Sequence, residues 1–177
     1  MRIIPALLLT AVLALPGNAV AATEGYVGLG FGQTFVDDGN FGETDTGYKV
    51  FGGARFNPHI AAELAYFDLG DPEDDFFGIL RTIEVKAFSG WVKGIWPVTQ
   101  HFDLYGKLGV AYWETDITTS LFGQPAQKTS SDGIDLAYGI GAAYNFGSRF
   151  AVLVEYEDVN GGVNGASLLS ASLALRF

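Results

Sequence analysis

Apolar and polar residues alternate along most of the chain, and the last stretch shows this most clearly. From Leu169 to Phe177 every second residue is apolar, whereas Ser170, Ser172 and Arg176 occupy positions between them. Successive side chains of a β-strand point to opposite faces of the sheet. The pattern therefore predicts a strand with one apolar face and one face of small, polar or charged residues.

The same alternation predicts seven further strands, bounded by glycine, proline and polar residues. It is very regular in residues 132–146, where the even-numbered positions from Ile134 to Phe146 are apolar. Three short turns, at 57–59, 97–101 and 147–149, alternate with four longer polar segments. The predicted strands cover residues 25–36, 45–56, 60–69, 83–96, 102–113, 132–146, 150–159 and 167–177.

An apolar face on every strand indicates a sheet that faces lipid. The predicted strands are long enough for a tilted crossing of a bilayer, which takes roughly 9 to 11 residues. Even strand number, alternating short and long connections, and aromatic residues near strand ends are typical of outer-membrane barrels. An edge strand of a water-soluble sandwich is the alternative for the last stretch. We predict an all-β fold, an eight-stranded antiparallel up-and-down transmembrane β-barrel with both termini in the periplasm.

The first 21 residues have the features of a secretory signal peptide. Met1 and Arg2 precede an apolar run over residues 3–15, and Ala19-Val20-Ala21 provides an A-x-A cleavage site. The run is shorter than the roughly 20 residues that a membrane-spanning helix needs. We therefore predict a cleaved leader at 1–21 and a barrel domain at 22–177.

Composition narrows the possible functions. The 177 residues include 24 glycines, 14 phenylalanines and eight tyrosines, a content that suits many short strands. The absence of cysteine excludes disulfides, thiolate metal sites and a cysteine nucleophile. A net charge of −10 argues against nucleic acid as a partner. The G-x-G-x-G spacing at 28–32 lacks the following helix that a nucleotide-binding loop requires.

Charged residues recur at positions predicted to face the lumen. The interior of an eight-stranded barrel is just wide enough for side chains to fill it. Opposite charges in that space should pair, because an unpaired buried charge is far costlier than a paired one. We therefore predict a plugged lumen and favour structural ion pairs over a proton relay. The predicted network comprises Lys49, Arg55, Glu63, Lys93, Asp103, Lys107, Asp135, Glu155, Glu157 and Arg176.

The excess of acidic residues is assigned to two predicted external loops, 37–44 and 70–82. The first group comprises Asp37, Asp38, Glu43 and Asp45, and the second comprises Asp71, Glu73, Asp74 and Asp75. Such oxygen-rich clusters could hold divalent cations shared with lipopolysaccharide, but no calcium-loop spacing is present. We favour solvated loops and predict neither a metal site nor a cofactor. The two histidines, His59 and His101, fall in predicted periplasmic turns, so a serine–histidine–acid arrangement cannot form at the outer rim. No catalytic residue is expected, although a carboxylate-only mechanism remains conceivable.

Four segments together resemble the small OmpA-like and OmpX-like outer-membrane β-barrel family. They are G-Y-V-G-L-G-F-G at 25–32, F-D-L-Y-G-K-L-G-V-A-Y-W at 102–113, Y-G-I-G-A-A-Y-N-F at 138–146 and L-A-L-R-F at 173–177. The resemblance implies a monomeric barrel with an interior charge network, in contact with outer-membrane lipid and lipopolysaccharide. The last strand also resembles the signal that the outer-membrane assembly machinery reads, with Leu173, Leu175 and Phe177 as its residues. No periplasmic peptidoglycan-binding domain is expected.

The resemblance does not select one function, because a fold hosts many. We expect a structural role in envelope integrity or a surface-interaction role, with the lumen plugged by ion pairs. A small nonspecific channel and a loop-based adhesin are the alternatives.

Overall fold

The computed structural model describes residues 24–37, 42–68, 73–76, 79–121, 124–159 and 166–177. The predicted leader and parts of the polar loops lie outside these residues. No described residue belongs to a helix long and apolar enough to cross a membrane. The described residues form nine strands: β1 Glu24–Asp37, β2 Gly42–Asn57, β3 Ile60–Asp68, β4 Glu73–Phe76, β5 Ile79–Pro97, β6 Phe102–Leu121, β7 Gln124–Phe146, β8 Phe150–Val159 and β9 Ala166–Arg176.

Eight of these strands close into an antiparallel barrel. The hydrogen-bonded order is β3-β2-β1-β9-β8-β7-β6-β5, and an additional pairing of β3 with β5 completes the circle. β4 pairs only with β5 and stays outside the closed ring. The predicted eight-stranded up-and-down barrel is therefore confirmed.

Paired residues are displaced along the strands when they are followed from strand to strand around the barrel. A path of paired residues that starts at Ala61 in β3 runs through Lys93, Lys107, Gly139, Glu157, Leu168 and Thr34 to Asp45 in β2. The direct partner of Ala61 in β2 is Arg55, ten residues further along that strand. This shear of ten inclines the strands, because strand tilt and stagger are linked in a closed sheet. Residues on one such path of paired positions therefore lie at different depths along the barrel axis.

Inward and outward residues alternate as predicted. On β6, Ala111 is fully buried while its neighbours Val110 and Tyr112 are exposed. Exposed aromatic residues lie near both ends of the barrel, a distribution typical of membrane–water interfaces. Toward the turns these are Trp96, Tyr144, Phe146, Phe150 and Phe177, and toward the loops they are Tyr48, Tyr66, Tyr112, Tyr138 and Tyr156.

Parts of three predicted loops form strands instead. β2 begins at Gly42, within the loop predicted at 37–44. The segment 114–131 was predicted as a loop, but β6 and β7 continue through it and pair as far as Leu121 with Gln124. The segment 70–82 was also predicted as a loop, yet it contains β4 and the start of β5. These extensions lack a clean apolar alternation in the sequence, so the pattern did not predict them as strands. Their threonines and isoleucines still favour extended backbone.

Candidate functional site: the charged lumen

Six charged residues meet in the middle of the barrel, and we call them the central cluster. Five different strands supply these residues. Each side chain points into the lumen because it occupies one of the alternate positions of its strand that face inward. All are at most 3% exposed, although charged side chains are rarely so deeply buried unless they are paired. The central cluster comprises Lys49, Glu63, Lys93, Lys107, Glu155 and Glu157.

Every ammonium of the central cluster contacts at least two carboxylates. Lys107 Nζ lies 3.2 Å from Glu63 and 3.0 Å from Glu155, and it also contacts Glu157. Lys49 Nζ lies 2.6 Å from Glu157 and contacts Glu155. Lys93 Nζ lies 2.9 Å from Glu63 and 3.8 Å from Glu155. The six side chains therefore form one connected network rather than three separate pairs.

Aromatic rings surround the lysines of the central cluster. The Nζ of Lys93 lies 4.1 Å from the ring centroid of Tyr105, and that of Lys107 lies 4.7 Å from Trp91. Ring faces attract cations, and the attraction is stronger where water is excluded. Tyr26 also donates a hydrogen bond of 3.0 Å from its hydroxyl to Glu63. These contacts give the buried charges polar and polarisable partners besides one another.

Charge balance decides what the central cluster can hold. The oxygens of Glu63, Glu155 and Glu157 approach within 4.8 Å of one another, a spacing that could suit a metal ion. However, three lysine ammoniums already lie against the three carboxylates. An added cation would have to displace a lysine, so the arrangement is that of an internally neutralised ion network.

A second polar group lies at the turn end of the lumen, and we call it the mouth ring. Arg55 lies 3.3 Å from Asp103, and Asn145 donates to the same carboxylate at 3.2 Å. Arg176 donates to the Asn145 side-chain oxygen at 2.8 Å and pairs with Glu24. The ring links five strands: β1, β2, β6, β7 and β9.

The structure separates the ten residues predicted for the lumen network. Six form the central cluster, and Arg55, Asp103 and Arg176 belong to the mouth ring. Asp135 lies nearer the loops, where it accepts a hydrogen bond of 2.5 Å from the indole of Trp113. The sequence interpretation missed Glu24, although its even number gives it the same inward parity as Tyr26.

Both histidines lie in exposed turns at the end opposite the loops. His59 Nδ1 is 3.2 Å from the carbonyl oxygen of Ile95, and the His101 ring stacks on Tyr144. Leu173 and Leu175 of β9 and the residue that follows the strand, Phe177, are exposed on the outer surface, where lipid would contact them.

The closed barrel, its apolar outer face and its two belts of aromatic residues define the class of transmembrane β-barrels. A family model described as the outer membrane protein beta-barrel domain matches residues 4–177. The chain therefore belongs to this family, and its location is the cell outer membrane.

Two relatives illustrate the similarity. Outer membrane protein A of Salmonella typhi is 27% identical over 154 residues, which cover 80% of this chain and 43% of that protein. Outer membrane protein A of Shigella flexneri is 26% identical over 143 residues, with coverages of 76% and 41%. The chain thus spans less than half the length of these relatives.

Solved structures share the fold. Neisserial surface protein A superposes with a TM-score of 0.71 at 11% identity, covering 86% of this chain and 97% of the other. Ail, the attachment invasion locus protein of Yersinia pestis, was solved in complex with the heparin analogue sucrose octasulfate. It superposes with a TM-score of 0.66 at 20% identity, with coverages of 87% and 98%.

Proposed function

We propose that the protein is a structural outer-membrane barrel whose lumen is closed by ion pairs, with a role in envelope integrity. The observation that carries this proposal is the central cluster, in which three lysines and three glutamates fill the middle of the lumen. A solute that entered would have to separate ammonium and carboxylate groups that are already in contact. Such separation is costly because it leaves uncompensated charge in a poorly hydrated space.

A planar lipid bilayer tests the closed lumen. Residues 22–177 are refolded, inserted into the bilayer and held at a constant voltage in potassium chloride. Current at the level of the protein-free bilayer is expected. Steady, stepwise conductance would contradict the proposal and identify a small channel instead.

Surface interaction is a second candidate role. β5, β6 and β7 have 19, 20 and 23 residues, whereas β8 and β9 have 10 and 11. The excess lies at the loop end, so a sheet projects from the barrel and could contact a partner. A sulfated polyanion such as the one bound by Ail is disfavoured, because this chain carries a net charge of −10.

Deletion of residues 115–131 should abolish attachment to host cells while the barrel still folds, and unchanged attachment would exclude this role.

We also propose that the C-terminal segment is the signal by which the outer-membrane assembly machinery recognises the unfolded chain. Leu173 and Leu175 on the outer face of β9, with Phe177 directly after the strand, form an apolar row that the assembly machinery would read before the barrel closes. A monomer is expected, with the turns and both ends of the barrel domain in the periplasm. Replacing Phe177 with serine should reduce the amount of folded barrel in the membrane, whereas replacing the turn residue Ser148 with alanine should not. Equal amounts of both variants would contradict this part of the proposal.

A further inference from the structure

Four buried apolar side chains lie in the lumen on the loop side of the central cluster. Phe67, Ala111, Ala137 and Leu168 come from four different strands, and each is at most 2% exposed. All four belong to one contiguous cluster of buried hydrophobic residues. We call these four residues the apolar layer.

Strand direction and register establish the depth of the apolar layer. β3 runs from the turn at His59 toward the loops, and Phe67 lies four residues beyond Glu63. β6 runs in the same sense, and Ala111 lies four residues beyond Lys107. Leu168 pairs with Glu157, and because paired positions shift toward the loops from β8 to β9, Leu168 lies slightly nearer the loops than Glu157. The apolar layer therefore lies on the loop side of the central cluster and adjoins it, because Phe67 pairs with Lys49 and Leu168 pairs with Glu157.

The turn side of the central cluster is different. A cavity of about 60 Å³ separates the central cluster from the mouth ring, and Lys93, Tyr105 and Ala151 are among the residues that line it. This volume is sufficient for water. The side chains of Glu24 and Arg176 in the mouth ring are 27% and 16% exposed, so this end of the lumen is partly open to solvent. Solvent therefore reaches the turn side of the central cluster through the mouth ring, whereas the four residues of the apolar layer are at most 2% exposed.

We infer that the lumen is closed by two barriers in series, the central cluster and the apolar layer, so that loss of ion pairs alone does not open it. The inference rests on the proposed closed lumen. Removing charges from the central cluster leaves Phe67 and Leu168 in place. Among the described residues, an ion crossing the apolar layer would then meet no charged partner but only the buried hydroxyls of Thr34 and Ser89, which pair with Leu168 and Ala111. Hydrophobic constrictions block ions by excluding water. Conversely, truncating the apolar layer leaves the lysines and glutamates filling the lumen below it.

Bilayer recordings of layer-specific variants test the inference. Lys49→Ala with Glu157→Ala removes one charge of each sign, so the remaining four groups of the central cluster stay balanced. Phe67→Ala with Leu168→Ala truncates the apolar layer, and the lipid-facing Leu169→Ala is its matched control. Wild type, the control and both double variants are expected to give background current. The quadruple variant is expected to give steady current at least tenfold above background.

Each alternative outcome is decisive. Conductance by either double variant alone would overturn the series arrangement, as would background current from a quadruple variant that is folded by its heat-dependent shift in gel mobility. Conductance by wild type would instead overturn the proposed closed lumen on which the inference rests.

A cysteine probe gives a second test that does not require the quadruple variant to fold. The chain has no cysteine, so Ala151→Cys places a single thiol at the cavity. In vesicles of known barrel orientation, a small charged methanethiosulfonate should modify this thiol from the turn side but not from the loop side. The same result is expected when either layer alone is truncated. Rapid modification from the loop side in either background would overturn the inference.

Discussion

Arg176 and Glu24 connect the last strand of the barrel, β9, to the first strand, β1, at the seam of the barrel. The Nη2 of Arg176 donates to Glu24 Oε2 at 2.8 Å, and its Nε contacts the other carboxylate oxygen. Backbone hydrogen bonds between Gly25 and Phe177 run in both directions beside this pair. The first and last strands are thus fastened by a two-point contact that also connects to the rest of the mouth ring.

Arg176→Lys is expected to weaken this seam. Lysine keeps the charge but lacks the planar fork that matches a carboxylate at two points. Because both side chains are partly exposed, the expected loss in the free energy of unfolding is only about 1 kcal/mol. Urea unfolding in lipid vesicles measures it, and Arg149→Lys in an exposed turn is the control. An equal effect of both substitutions would show that the seam contact contributes nothing specific.

Breaking the charge balance of the central cluster is expected to cost far more. Glu157→Gln leaves Lys49 and Lys107 with one carboxylate fewer in a buried site, and a loss of about 3 to 5 kcal/mol is expected. Adding Lys49→Met should recover much of that loss, because two lysines and two glutamates then remain. Urea unfolding of the two single variants and the double variant gives the coupling energy. Additive effects would contradict a connected network.

Gly139 leaves space for a lysine of the central cluster. A β-carbon at this position would lie 3.0 Å from Lys107 Cε and 3.0 Å from the carbonyl oxygen of Tyr156. Gly139→Ala should therefore destabilise the barrel by about 1 to 3 kcal/mol through overpacking.

Gly106 provides the matched control for this prediction. Its added β-carbon would meet nothing nearer than 3.9 Å. Gly106→Ala should leave the unfolding midpoint in urea nearly unchanged. A Gly139→Ala variant that is equally stable would show that the lumen is less tightly filled than the distances indicate.

Depth in the membrane should determine the cost of a charge on the outer face. Ile140 and Ile134 are both outward residues of β7, with 66% and 72% exposure. Ile140 lies between the aromatic belts represented by Tyr138 and Tyr144, whereas Ile134 lies beyond Tyr138 toward the loops. Ile140→Arg is expected to cost about 2 to 4 kcal/mol and Ile134→Arg about 0 to 1 kcal/mol, measured by unfolding from vesicles. Equal costs would place the lipid boundary elsewhere.

The strands and their faces could be predicted from sequence because lipid imposes a period of two on them. Strand ends were less predictable: residues 114–131 are mostly threonine, serine, glutamine and acidic residues, so the apolar alternation is weak there although the pairing of β6 with β7 continues. The alternation of inward and outward positions also identified which charged side chains face the lumen. It carries no information on how far along the barrel axis each one lies. The shear of ten separates Asp135 from Glu155 and brings Glu24 to Arg176, and this stagger is a property of the closed sheet.

The central claim is that the lumen does not conduct, and solute entry into liposomes tests it across the whole population of molecules. Liposomes that contain the refolded barrel are diluted into an isosmotic solution of a small sugar or potassium chloride, and swelling is followed by light scattering. The account predicts the swelling rate of protein-free liposomes at every protein-to-lipid ratio. A swelling rate that rises in proportion to the amount of folded barrel would contradict it.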